Sequence, residues 1–152
     1  MNSAFHNHFT LQDLETTVNT RVIFSAVQKQ ETHIVEGQVI TFSDTEANVG
    51  NGMNPETGVF KVPVPGIYAF SFSAYTDTTS YYTNVYVCKN GEYQFRISDA
   101  DQNDDNDFDN ICYTWTMTLL QNDQIHLKMH YNGLYVHNGA YVWFNGQLLM
   151  KQ

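Results

Sequence analysis

The sequence predicts an all-β domain, of the sandwich, jelly-roll or barrel kind, and three observations predict it. Short runs alternate apolar and polar residues with period two, turn dipeptides separate the runs, and aromatics are abundant while charges are few. Aromatic residues make up 14% of the 152 positions and charged residues only 15%, the opposite of a disordered composition. A chain of this length holds one domain with a sizeable core.

The alternation is clearest in GIYAFSFSAY, where Tyr68, Phe70, Phe72 and Ala74 share one face and Ala69, Ser71 and Ser73 the other. In ICYTWTMTLL, Tyr113, Trp115, Met117 and Leu119 alternate with Thr114, Thr116 and Thr118. In DQIHLKMH, Ile125, Leu127 and Met129 point one way and His126, Lys128 and His130 the other. Strands are expected near 21–27, 33–42, 58–62, 66–76, 82–89, 92–98, 111–120, 124–131 and 140–150. Turns are expected at Asn51-Gly52, Pro65-Gly66, Asn90-Gly91, Asn132-Gly133, Asn138-Gly139 and Asn145-Gly146, because Asn-Gly suits the positive φ angles of tight hairpins. Leu11, Leu14 and Val18 sit at three-four spacing, so residues 1–20 read as a tail or a short helix ahead of a domain over 21–152.

Seven Lys and Arg against sixteen Asp and Glu give a formal charge of −9. So few cations cannot neutralise a row of phosphates, which argues against nucleic-acid partners, and anionic membrane surfaces are disfavoured for the same reason. No apolar run reaches the ~20 residues of a membrane span. Cys88 and Cys112 are the only cysteines, either bridged in an oxidising compartment or buried as thiols. The first residues show no signal-peptide core, so secretion requires a leader that this sequence does not display.

The order of motifs resembles the globular head domain of the complement C1q family. The segments are VIFSA, VITFSDTEANVGNGMNPETGVFKVPVPGIYAFSFSA, VYVCKNGE, MTLLQNDQIHLKM and VWFNGQLL, over residues 21–149. The most specific part is Thr57-Gly58-Val59-Phe60 followed by Val64-Pro65-Gly66-Ile67-Tyr68. The resemblance implies a ten-strand jelly roll, as in tumour-necrosis-factor ligands, assembled as a compact homotrimer. A closed threefold assembly also gives aromatic strand faces somewhere to hide. Asn122-Asp123 departs from the family's glycine-aspartate turn, a change that Asn tolerates in the left-handed region. Trp143 stands where a small residue is usual. No Gly-X-Y run is present, so the resemblance is to stalkless, invertebrate-type members, and collagen-dependent protease recruitment is not carried over.

Residues 98–110, SDADQNDDNDFDN, hold six of the sixteen acids. Such a loop repels itself unless it is solvated or neutralised, and closely spaced oxygen ligands suit Ca²⁺. Asp105, Asp107 and Asp109 echo the start of an EF-hand loop, but Asn110 replaces the needed Gly and no Glu follows at the twelfth position. Several members of the resembled family hold calcium in the corresponding loop, which makes Asp101, Asp105, Asp107 and Asp109 the candidate metal ligands. The alternative is a solvated loop that keeps the protein soluble. His6 and His8 fall in the expected tail. His126 and His130, about 13 Å apart at ~3.3 Å per residue, are too distant to share a metal and read as a solvated stripe that turns cationic below ~6.5.

Tyr81 and Tyr82, and Tyr135 with His137, lie in loop-like segments among Asn, Thr and Gly, which suits carbohydrate binding: a flat apolar platform with a few fixed polar groups. A trimer seam uses the same residue types. No nucleophile elbow, metalloprotease helix or phosphate loop is present, and no enzyme is expected. The resemblance implies a secreted, lectin-like protein of innate immunity that recognises carbohydrate or microbial-surface ligands as a homotrimer. The alternatives are an acidic calcium-binding structural protein of the extracellular or mineral phase, and a trimeric receptor ligand.

Overall fold

The computed structural model describes Leu11 and residues 20–76, 83–99, 109–131, 134–136 and 141–152. Twelve strands follow one another: β1 (Ile23–Gln28), β2 (Thr32–Ile34), β3 (Asp44–Val49), β4 (Met53–Asn54), β5 (Val59–Lys61), β6 (Gly66–Thr76), β7 (Thr83–Lys89), β8 (Glu92–Asp99), β9 (Asp109–Leu119), β10 (Gln124–Tyr131), β11 (Leu134–Val136) and β12 (Val142–Lys151). Ten of them form two antiparallel five-stranded sheets, β3-β1-β12-β6-β9 and β4-β5-β10-β7-β8, while β11 and β2 pair as a separate ribbon. This is the all-β sandwich that the alternation predicts, in the ten-strand jelly-roll form that the resemblance implies.

The core lies between the two sheets. Tyr68, Phe70, Phe72 and Ala74 of β6 are all buried, as their period-two spacing requires. Phe24 stacks on Phe60 of the opposite sheet at 4.7 Å and meets Phe144 edge-on at 5.0 Å. Tyr68 keeps its hydroxyl satisfied by donating to the Val64 carbonyl at 2.6 Å. Each such buried ring contributes about 1.5–3 kcal/mol of transfer free energy, so this aromatic cluster dominates the hydrophobic term.

Two motif glycines are there for space. A Cβ on Gly58, which has φ +70°, would lie 2.0 Å from the Ile40 carbonyl oxygen. The Thr-Gly-x-Phe turn can therefore tuck under the segment before β3 only without a side chain. Asn145-Gly146, expected to turn, instead lies inside β12, where a Cβ on Gly146 would meet the Phe24 ring at 2.3 Å. The dipeptide that makes hairpins elsewhere here permits close packing of a strand on two rings.

Other differences follow the same physics. The expected 33–42 strand is broken after Ile34, where Gly37 takes φ +84°, and beyond it the chain runs along β10 through backbone hydrogen bonds of Gly37, Gln38 and Ile40 and the Val39–Lys128 bridge. The unpredicted β3 is an edge strand of largely polar residues paired only with β1, so it lacks the apolar alternation that marks half-buried strands. At the expected Asn51-Gly52 turn, positive φ falls on Gly50 (+88°) and Asn51 (52°). Asn90 and Gly91 turn as expected, with φ 53° and 84°, and Asn122 adopts φ 71°. Cys88 is buried and Cys112 exposed, both as free thiols, so neither the bridge nor the doubly buried pair is formed. Leu11 is exposed, and the rest of the expected helix or tail over 1–19 lies outside the described residues, as do Asn132-Gly133 and Asn138-Gly139.

Candidate functional site

Of the residues proposed from sequence as ligands, Asp101, Asp105, Asp107, Tyr81, Tyr82 and His137 lie outside the described residues, as do His6 and His8. Asp109 enters as the first residue of β9, opposite Thr76, and Tyr135 as the middle of β11, opposite His33. Among the described residues no three of His, Cys, Asp and Glu converge on one point, and no helix is long and apolar enough to cross a membrane.

Three surfaces stand out among the described residues. The first is the solvent-side face of the β1–β12–β6–β9 sheet. Register places Ser25, Asn145, Ser71 and Thr114 in one row across four strands, with Ile23, Gln147, Ala69 and Thr116 in the next row on the same face. The Ser25 hydroxyl donates to Asn145 Oδ1 at 2.6 Å, and the Asn145 amide donates to the Ser71 hydroxyl at 3.2 Å. These small, mutually satisfied side chains leave an open depression of about 740 Å³ over the middle of the sheet.

The second surface is the open side of the sandwich, where β9 and β8 are the edge strands of the two sheets. Trp115 stacks on Phe70 at 5.5 Å and meets Phe95 of β8 edge-on at 5.6 Å. Tyr113 is exposed, and the buried Trp115 Nε1 has no hydrogen-bond partner. An unmet buried N–H of this kind costs about 1–3 kcal/mol.

The third surface is the outer face of the second sheet. Lys128, Tyr86 and Arg96 form one cross-strand row, and His126, Cys88 and Tyr93 the row beside it. The Tyr86 ring stacks on His130 at 3.9 Å and 15°, and meets Tyr93 at 4.5 Å. This is the histidine stripe read from sequence, now with tyrosines alongside it. Burial, helped by the nearby Lys128 charge, pushes the His126 pKa down, so His126 gains its proton later on acidification than the sequence reading assumed. Burial pushes the Cys88 thiol up, against a smaller opposing effect of Lys128, leaving it a poor nucleophile.

At one end of this sheet Asp123 ties two turns together. Its carboxylate accepts from the Asn90 amide and the Leu120 N–H, both at 2.9 Å, and lies 3.2 Å from Lys89 Nζ. Burial alone would raise its pKa, but those three donors together hold it below the usual carboxylate value. This cluster has a structural use: it fixes the Asn122-Asp123 turn against the Asn90-Gly91 turn.

Two facing five-stranded sheets in this strand order define a jelly-roll domain of the C1q and tumour-necrosis-factor kind. The fold is similar to the globular domain of the zebrafish complement 1qA protein, with a TM-score of 0.72 at 20% identity over 86% of this chain and 99% of that one. It is also similar to murine APRIL, with a TM-score of 0.59 at 15% identity over 83% of this chain and 98% of that one. The family model of the C1q domain matches residues 23–149, and the chain belongs to the C1q-domain family. The human and mouse complement C1q tumor necrosis factor-related proteins 3 are each 29% identical to it over 112 residues. That match takes in 74% of this chain and 45% of each relative, so the chain spans about half the length of the curated relatives it matches.

Proposed function

We propose that the protein is an extracellular, non-enzymatic recognition module that works as a homotrimer and binds carbohydrate or microbial-surface ligands in a lectin-like way. The observation that supports this most is a mismatch on one molecule. One sheet presents a depression of small, satisfied side chains, while the neighbouring open edge presents the exposed Tyr113 ring beside the half-buried Trp115 and Phe95. A face and an edge of such different character suit a heterologous contact, which closes into a ring when the rotation is threefold. Three identical weak sites on one rigid head then gain about 10²–10⁴ in apparent affinity for a repetitive surface.

Calcium is part of the proposal. Three copies of a loop with six acids bring carboxylates together and favour a hard divalent cation, with Asp101, Asp105, Asp107 and Asp109 as the ligand candidates. The test is a glycan and microbial-surface array run in millimolar calcium and again in EDTA, with sedimentation reporting the oligomer. Selective binding lost in EDTA supports calcium-dependent recognition. Binding that survives EDTA keeps the lectin and removes calcium from recognition. No selective binding in either buffer overturns the lectin reading. The −9 charge would then favour an acidic, calcium-loaded structural protein, recognisable by weak binding of many ions.

A further inference from the structure

The outer face of the second sheet carries a built platform that neither the core nor a face-to-edge trimer employs. Tyr93 reaches it through a bulge. Val87 pairs with Phe95 while Cys88 pairs with Tyr93, so Gln94 is an extra residue on β8. In a regular strand, period two would put Tyr93 on the inward face of Phe95 and Ile97, and the bulge breaks that phase. With it, Tyr93 turns outward beside Tyr86 and is 56% exposed. A bulge that brings a large aromatic ring out of the core side re-aims that side chain at the cost of ladder regularity, which is how bulges beside binding sites behave.

The flanks of the platform are cationic. Lys128 and Arg96 stand one strand to either side of Tyr86, so their Cβ atoms are about 10 Å apart at the usual strand spacing. Both are exposed, and neither forms an ion pair among the described residues, whereas Lys29 and Lys89 do. Of the face residues around them, His126, His130, Asn84, Cys88 and Ser98, none is acidic. In a chain with sixteen acids and seven cations, two cations without an ion pair among the described residues, set about a tilted tyrosine pair, are complementary to an anion.

We infer that this face binds an anionic saccharide, a pyranose bearing a carboxylate or sulfate. The C–H face of the sugar lies on the Tyr93 and Tyr86 rings, and its anionic group is held between Arg96 and Lys128. The Arg96 guanidinium supplies the planar two-donor fork that such groups accept, and Lys128 supplies a mobile point charge. The inference rests on the carbohydrate reading above and adds to it a site and the charge of the ligand.

The test uses the whole protein on surfaces displaying a β-glucuronide, a glucose 6-sulfate and the matching neutral β-glucoside, at low and at raised salt. The wild-type protein should prefer the charged sugars about tenfold, the effect of one or two charge-assisted hydrogen bonds, and added salt should shrink the preference. The double variant Arg96→Gln with Lys128→Gln should lose the preference and keep the melting temperature, since both side chains are exposed. Tyr93→Ala should weaken charged and neutral sugars alike. Binding of both sugar types without a charge preference, or a preference unchanged in the double variant, overturns this site and leaves the lectin reading standing. Absence of binding to these and to every other sugar overturns both. The relative response to glucuronide and sulfate distinguishes the two kinds of anionic group.

Discussion

Replacing Gly146 by Ala tests the packing account most directly. An added Cβ would sit 2.3 Å from Cε1 and 2.8 Å from Cζ of Phe24, and 2.9 Å from Cδ1 of Phe70. Both rings are buried to within 2% and are held by Phe60, Phe144 and Trp115, so neither has free space to turn into. Overpacking of this kind costs about 1–3 kcal/mol, and the tight contacts put it near the upper end. Losing a strand glycine returns about 0.5–1 kcal/mol of chain entropy, which leaves a net loss of about 2 kcal/mol. For a domain of this size that lowers Tm by about 4–8 °C. The assay is thermal unfolding by circular dichroism at one fixed protein concentration, because association makes Tm depend on concentration. A Tm unchanged or raised in Gly146→Ala would refute the reasoning, since it would mean that the two phenylalanines yield without strain.

Further outcomes are expected. Asp123→Asn should lower stability at neutral pH and flatten its acid limb. The carboxyl titrates below its unfolded value, so its contribution is present above the ordinary carboxylate pKa and is lost as pH falls through the lower folded one; Tm against pH for the two proteins checks this. Cys88 should resist a maleimide in the native protein and react once urea has unfolded it, which mass spectrometry of the labelled peptide reads directly. Replacing Asp105, Asp107 and Asp109 by Asn should abolish any rise in Tm that calcium produces while leaving the metal-free Tm within about 2 °C. A calcium-induced rise that persists in the triple variant would remove that loop from the proposal.

What could be read from the sequence depended on how local its cause was. The inward face of β6 was legible because strand alternation is set by the residues themselves. Asn90-Gly91 was legible because a two-residue hairpin needs positive φ at both positions. Asn145-Gly146 misled because its glycine answers to Phe24, some 120 residues away, and nothing beside it in the chain announces that ring. The outer platform was half legible. His126, Lys128 and His130 were recognised as one solvated face, but Tyr86 and Arg96 join it only through pairing register. Tyr93 joins it through the Gln94 bulge, which local pattern does not show. In the sequence Tyr93 is two residues from Phe95, in phase with it, so period-two alternation alone places it on the inward face.

The strand order of the first sheet also bears on when the protein can acquire its shape. β12 lies between β1 and β6, so without it the sheet is two separate fragments, β3–β1 and β6–β9. On the ribosome β1 emerges early and must wait through more than a hundred further residues for its partner, exposing one unpaired edge and half of the aromatic cluster meanwhile. Completion of that sheet is therefore a late, all-or-nothing event that follows the emergence of residues 142–151, and loop closure over this span makes it slow. During that interval the nascent chain is at its most vulnerable to mispairing with its neighbours, which makes it a natural client for chaperones that bind exposed strands.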